Sequence, residues 1–481
     1  MKAIKYLVMG VLLAGFSSTA MAQEEELNAA LAAVKSKAPN AAELVKVAQK
    51  KNKKNPEALV KLGRALYEVQ DTAAAHACAE MAQQAVKPKH SYAPAWMLLG
   101  DIQATFGSEG GKAANYYNQA IYFDPKNPEG YKSWAKVYRK ISPSQAAAKL
   151  KEMEQNCPGE DANAMIGHIY MLSYNSSKDS KDEKAAYEAY KKADINKLDK
   201  TGFNEFARSS YFQGKYDDAL KACEAGLKKF PRYAMLVRLS MFANYELGNY
   251  ETAKSFINRY FNETDSAKFS EYDHFYTALI YGALDDKANM YAQYDKALEL
   301  VNDSSMIKRW AILKSVSDSY LKDQKFDNAI KYYQDYLACK PDLNADDTEG
   351  LAKIYSKYAD ADETKKAEMI GKAIAAYREM GEKFPIQKAF AAYQCATMSN
   401  KLDKNGEKGL ARADYQKVVE LLEGKADRTN GENTMLKYSY HYLMSNAFLF
   451  AKNKTLAKEY ANKILSIDPE YAPALQIRDL K

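Results

Sequence analysis

Gly214, Tyr216 and Ala219 return as Gly248, Tyr250 and Ala253, each 34 residues further along the chain. A period of that length, carried by a helix breaker, an aromatic and a small residue, restricts the fold to stacked copies of one short supersecondary unit. In Gly-x-Tyr-x-x-Ala the glycine ends a helix, the aromatic covers the turn, and the small residue marks where the next helix passes close to its partner. Phe203, Phe206 and Ser210 precede the first triple at three- and four-residue steps and so share a helix face. Ala219, Cys223 and Gly226 continue that face on a second helix, and Pro231 ends the pair because proline lacks the amide hydrogen and clashes with the preceding turn. One such hairpin cannot bury its apolar side alone, so neighbours must stack.

With its period, small residues and late proline, the chain resembles the tetratricopeptide repeat family over nearly all its length. Leu59, Leu62-Gly63, Ala75 and Ala82 follow the template, with Pro88 one residue late; Trp96, Leu99-Gly100, Ala113, Tyr117, Ala120 and Pro125 follow with one residue inserted around 107–111. Further units carry Tyr131, Trp134-Ala135 and Tyr138; Ile166-Gly167, Tyr170, Ala186, Tyr190 and Ala193; and Val316-Ser317, Tyr320, Phe326, Ala329, Tyr333 and Pro341. Looser copies run through Leu351-Ala352, Tyr355, Ala373, Tyr377 and Pro385, and through Met444-Ser445, Phe448, Ala457, Ala461 and Pro469. The resemblance implies an all-α fold, a right-handed α-solenoid of ten or eleven helix-turn-helix units. Sparse punctuation, 22 Gly and 13 Pro, agrees with long helices rather than many short strands.

Departures from the template carry expectations of their own. Residues 272–297 place Tyr276 where a small residue belongs and Met290 where alanine is usual, so those helices are expected to pack less closely. Extra residues at 175–181 and 359–365 read as exposed loops between the two helices of a pair, and the unit from Ala392 to Val418 carries a long polar insertion at 399–408. Segments 157–161 and 428–433 are the places where the array could bend. Ser142-Pro143-Ser144-Gln145 is a helix start, with a hydroxyl cap, proline at the first helical position and glutamine three after the cap. Residues 23–54 read as two helices capping the array, the second starting at Asn40 and ending in Lys50, Lys51, Lys53 and Lys54; the array spans 55–470, and 471–481 forms a last covering helix.

The first 22 residues read as a signal peptide. Lys2 and Lys5 precede an apolar stretch from Tyr6 to Phe16, too short for a stable membrane-spanning helix, and Ala20-Met21-Ala22 has the small-x-small pattern of a cleavage site. The mature chain would begin at Gln23, exported to periplasm or medium, and no cysteine near the cut supports a lipoprotein anchor. Loss of two lysines lowers the formal charge from +7 to +5, too slight for a nucleic-acid binder, while 47% hydrophobic residues exclude a disordered chain. Cys78, Cys157, Cys223, Cys339 and Cys395 are scattered at intervals of 56 to 116 residues and show no disulfide framework. Cys78 and Cys223 sit in apolar helical patterns as buried thiols, and Cys157, beside Pro158-Gly159, is the one expected to be exposed.

No pattern for catalysis, cofactor or metal stands out. His76, His90, His168, His274 and His441 lack metal-ligand spacing; Gly110-Gly111-Lys112 lacks the earlier glycine and preceding strand of a phosphate loop and reads as a widened repeat turn. The chain reads as a binding protein rather than an enzyme. In the family it resembles, residues two, five, nine and twelve of each unit line a groove on the first helices. That rule selects Glu129, Lys132, Lys136 and Arg139, with Lys140 beside them, and Arg64, Arg208 and Arg238 in other units. A basic lining suits an acidic peptide, a C-terminal carboxylate or another anionic polymer. Of 37 tyrosines most are core; Tyr211, Phe212, Phe242, Tyr245, Tyr281 and Tyr442 fall on or beside groove positions, where they suit a protein partner or, as the competing reading, a glycan taken up or secreted across the envelope.

Overall fold

A computed structural model describes residues 21–87, 90–265 and 268–480, which are helical or irregular with no strand among them. The leader up to residue 20 and Pro88 lie outside the described residues; Met21 and Ala22 open the helical stretch 21–36. The chain divides after residue 267 into two compact units.

The first unit contains α1 (residues 21–36) and α2 (Ala41–Lys51), then the pairs α3 (Pro56–Glu68) and α4 (Thr72–Gln84), α5 (Ala93–Phe106) and α6 (Gly110–Phe123), and α7 (Pro128–Tyr138) and α8 (Pro143–Asn156). They are followed by α9 (Asn163–Ser177) and α10 (Ser180–Tyr190), a single 3-10 turn (Ile195–Lys197), α11 (Lys200–Phe212) and α12 (Tyr216–Lys229), and α13 (Ala234–Glu246) and α14 (Tyr250–Glu263). The second unit holds α15 (Glu271–Ala283) and α16 (Lys287–Leu300), α17 (Arg309–Lys322) and α18 (Phe326–Cys339), and α19 (Ala345–Ala361) and α20 (Lys366–Lys383). It closes with α21 (Lys388–Leu402) and α22 (Arg412–Leu422), α23 (Asn430–Leu449) and α24 (Lys454–Ile467), and the short α25 (Ala472–Arg478). From α3 onwards each helix packs on the next within its unit, and first helices of successive pairs also touch, α3 on α5, α9 on α11, α11 on α13 and α21 on α23. The fold is therefore an all-α stack of helical hairpins in each unit, eleven of them after Asn55.

Local chemistry sets the helix starts. Ser142 accepts the Gln145 amide at 3.3 Å with Pro143 at the first helical position, as the sequence predicts, and Asn55 and Asp199 accept the amides of Ala58 and Gly202 at 3.1 and 2.7 Å. Asn40 precedes α2, but its side chain makes no capping bond.

The repeated glycine belongs to the turn inside a pair. Gly214 has φ +67° and Gly248 φ +77°; the amides of Lys215 and Asn249 reach back to the carbonyls of Ser210 and Asn244 at 2.9 and 2.8 Å, satisfying the end of the first helix. The same left-handed turn recurs at Gln70, Asp285 and Gln324 with φ of 65°, 57° and 56°, closed by the amides of Asp71, Asp286 and Lys325. One backbone device thus serves pairs with and without glycine.

Close approach of the two helices sets the spacing of each hairpin. A Cβ on Gly100 would lie 2.4 Å from the Tyr117 ring, one on Gly167 2.6 Å from the Tyr190 ring, and one on Gly63 2.6 Å from Leu98 and 3.0 Å from Cys78 Cβ. Ser317, at the equivalent place in α17, donates its hydroxyl to the Ala329 carbonyl of α18 at 2.7 Å, so the small residue is also satisfied.

Three expectations need correction. The small residue of the α15–α16 pair is Ala278, not Tyr276 two residues earlier; it shares a buried cluster with Met290, Tyr294 and Ala297, and the Met290 thioether lies in the space left by Gly282. The extra residues at 175–181 are absorbed largely as helix, α9 running to Ser177 and α10 starting at Ser180, whereas at 359–365 α19, 17 residues long, takes 359–361 and residues 362–365 form the expected turn before α20, 18 residues long. Helix continues where it keeps an apolar face in the stack, as at the buried Ala359. The 399–408 segment likewise begins inside α21, and the loop after it is pinned by buried Asp403, whose carboxylate accepts the amides of Lys408 and Leu410, both at 3.2 Å. Cys157 is buried, 6% exposed, behind the Pro125 carbonyl, and burial raises its pKa; Cys339 is the exposed thiol, all five cysteines being unpaired.

Gly100→Ala is expected to lower the denaturation midpoint, costing about 1–3 kcal/mol because the Tyr117 ring must move. Gln324→Gly is expected to raise it by up to about 1 kcal/mol by relieving a left-handed glutamine; chemical denaturation followed by circular dichroism checks both, and a neutral Gly100→Ala would refute the close approach. A thiol reagent applied to the native protein should modify Cys339 first, and Cys339→Ser should remove that fast phase.

Candidate functional site

In the first unit, α7, α9 and the segment leading into α11 enclose a cavity of about 670 Å³. Lys132, Lys136 and Arg139 reach it because residues three and four apart share a helix face; α9 adds Met165 and His168, and Lys197 and Asp199 come from the approach to α11. Lys132 is neutralised by Glu129 and Glu160, both at 3.1 Å. Lys136, Arg139 and Lys197 form no ion pair among the described residues; the Arg139 guanidinium donates to the Lys136 carbonyl, which holds it at the mouth of the cavity. The lining therefore carries a surplus of positive charge, an arrangement that attracts carboxylates or other anions.

At the back of the cavity stands a histidine held by a buried acid. Nδ1 of His168 lies 2.9 and 3.2 Å from the two carboxylate oxygens of Glu205 on α11, and the Tyr190 hydroxyl of α10 donates to Glu205 Oε2 at 2.5 Å. Glu205 is only 7% exposed, whereas the His168 side chain is 44% exposed. With the carboxylate at Nδ1, that nitrogen carries the proton in the neutral ring and Nε2 keeps its lone pair. The hydrogen bond to Glu205 raises the His168 pKa above its ordinary value, against partial burial and the nearby Arg139 charge. Burial and the Glu205 charge raise the Tyr190 pKa as well, keeping that hydroxyl a donor.

The repeat itself builds this support. Gly167 leaves room for the Tyr190 ring, and the residue after it, His168, points to the cavity side. An equivalent arrangement sits two pairs earlier: Gly100 admits Tyr117, whose hydroxyl donates to Asp101 at 2.7 Å, and Asp101 pairs with Arg64 of α3. Arg64 is thus committed to an ion pair between neighbouring first helices.

The remaining residues singled out from sequence lie elsewhere. Arg208 donates to Asn175 and lies over the Tyr174 ring at 6.0 Å, and Arg238 lies over the Phe242 ring at 5.1 Å. Tyr211 and Phe242 are 7% and 2% exposed and pack at 6.2 Å, while Phe212 stays exposed and the Tyr245 ring sits 5.6 Å from Tyr250. Lys140 is exposed and is not among the lining side chains. In the second unit Tyr281 is half-buried, and Tyr442 packs on Tyr415 at 4.7 Å. His168, Glu205, Lys197 and Asp199 were not anticipated. His168 had a signal: it follows the small residue Gly167 as Lys136 follows Ala135, the ninth position of its unit.

No protein-family model matches the chain, and no curated protein matches it. Among solved structures it is similar to the C-terminal part of a TPR repeat-containing protein from Cytophaga hutchinsonii, at 18% identity and a TM-score of 0.43, over 58% of this chain and 100% of that one. It is also similar to a tetratricopeptide repeat protein from Parabacteroides merdae, at 17% identity and a TM-score of 0.33, over 52% of this chain and 94% of that one. The paired helices and their turns make the chain a tetratricopeptide-like repeat array.

Because the His168 pKa is raised on folding, its pairing with Glu205 stabilises the first unit fully below the ordinary histidine value of about 6.5, and that contribution is lost as pH rises through the folded value. Glu205→Gln should lower the His168 midpoint in an NMR titration of its ring proton; an unchanged midpoint would show that the carboxylate does not hold the proton.

Proposed function

We propose that this protein is an exported scaffold of the cell envelope that holds an acidic segment of a protein partner against its first helices and performs no chemistry of its own. The observation that carries this reading is the convergence of Lys136 and Arg139, which form no ion pair among the described residues, with Lys197 of the 3-10 turn, whose charge also acts on Asp161, on one cavity between consecutive hairpins. A stacked array of hairpins presents such a face repeatedly, so a segment bound there extends along neighbouring helices rather than filling one closed pocket. Cations facing one cavity supply charge-assisted hydrogen bonds and steer an acidic chain in.

Export is supported by the basic start at Lys2 and Lys5, the apolar run that follows and Ala20-Met21-Ala22. Among the described residues no helix is long and apolar enough to cross a membrane.

Replacing Lys136 and Arg139 together by glutamate should weaken binding of an acidic peptide at least tenfold, about 1.4 kcal/mol, with unchanged circular dichroism. A photo-crosslinker at Ser133 in the native host should capture a protein through an acidic segment. Binding indifferent to both charge reversals would remove the acidic-segment reading, and capture of glycan alone would favour a sugar ligand. Terminal sequencing of the secreted chain should begin at Gln23; a retained Met1 would contradict export by cleavage.

A further inference from the structure

We infer that His168 is a ligand-contacting residue of this cavity and that an acidic ligand binds there together with one proton. The inference rests on the acidic-segment reading above and adds the identity of the group at the back of the site and its charge state. Two features carry it. His168 lines the cavity, and its Nδ1 is turned to Glu205, so Nε2 is the nitrogen left to meet a ligand; it makes no hydrogen bond to another described residue.

Glu205 sits between Tyr190 and His168 with nearly all its surface buried, so the imidazole can rotate only by breaking a charge-assisted bond in a low-dielectric setting. The orientation fixes what the cavity meets. In the neutral ring Nε2 offers a lone pair, which repels a carboxylate oxygen; in the protonated ring the same atom offers an N–H, which binds it. The buried Glu205 charge compensates the imidazolium, so protonation completes the site without leaving an isolated buried cation.

The charged groups around His168 leave it as the one that titrates near neutrality. Lys132, Lys136 and Arg139 with Glu129 come from α7, Lys197 from the 3-10 turn, and Asp199 from just before α11. Glu160 pairs with Lys132, and the Tyr190 hydroxyl, whose pKa is raised by burial, stays protonated. A carboxylate entering among them adds a negative charge beside His168 and draws one proton onto Nε2 from solvent. Above the titration midpoint of His168, affinity therefore falls about tenfold per pH unit.

The test is calorimetric titration of the mature protein with C-terminally amidated hexaglutamate, across pH and in buffers of differing ionisation heat. The wild type should take up nearly one proton per peptide above the His168 midpoint, with affinity declining along that slope. His168→Asn, which keeps a side-chain N–H but cannot titrate in this range, should bind with a flat pH profile and no proton uptake. The double reversal of Lys136 and Arg139 should bind weakly at every pH. Wild-type binding with no proton uptake, or the same uptake in His168→Asn, would overturn the role of His168 while leaving the acidic-segment reading standing. Absence of peptide binding at every pH would overturn both.

Discussion

Two helices can pass within contact distance of one another only where one of them gives up its side chain. In this protein a small buried residue holds that place in eight of the eleven hairpins, at Gly63, Gly100, Ala135, Gly167, Ala207, Ala278, Ser317 and Ala352, and at Gly100 and Gly167 a tyrosine ring of the opposing helix fills it. A methyl group at Gly100 or Gly167 would meet a tyrosine ring well inside van der Waals distance. Dense packing makes such spots unforgiving, and the hairpin geometry follows from them. The same approach carries function: the tyrosine admitted by Gly167 reaches Glu205, and Glu205 orients His168. Packing and recognition share one residue pair.

Bonds between residues one repeat apart hold successive hairpins in register. Arg64 with Asp101, His168 with Glu205, Arg208 with Asn175 and Arg232 with Asp265 each join consecutive pairs in the first unit. Exposed pairs such as Arg232 with Asp265 contribute on the order of 0–1 kcal/mol each. Their greater effect is positional, since they tie neighbouring hairpins to one another at fixed places. Where the acid is buried, as at Glu205, it also sets the protonation of its partner.

Individual residues show how far sequence reading reaches. The 34-residue period located the α11–α12 and α13–α14 hairpins, and Ser142-Pro143 located the start of α8. Lys132, Lys136 and Arg139 were legible as one face because three- and four-residue spacing on a helix needs no tertiary information. Tyr276 misled because aromatic and small residues alternate through α15, and only the position of α16 shows that Ala278 is the point of approach. Cys157 misled because Pro158-Gly159 suggests an open turn, yet the preceding helix end folds back over the Pro125 carbonyl. The insertions were legible in part: an added turn of helix and an added loop have similar polar composition, so 359–361 continue α19 while 362–365 form the turn before α20.

By itself the sequence determined the architecture: a repeating pattern of small, aromatic and helix-ending residues leaves stacked hairpins as the way to bury apolar surface that no hairpin covers alone. It also determined which face of each first helix carries charge, since helical periodicity is local. Tertiary structure decided which charges meet. Glu205 is 37 residues from His168 and reaches it only because α9 and α11 pack side by side. Whether a cation is paired, buried or left facing a cavity depends on distances across helices, and those distances exist only once the hairpins have stacked.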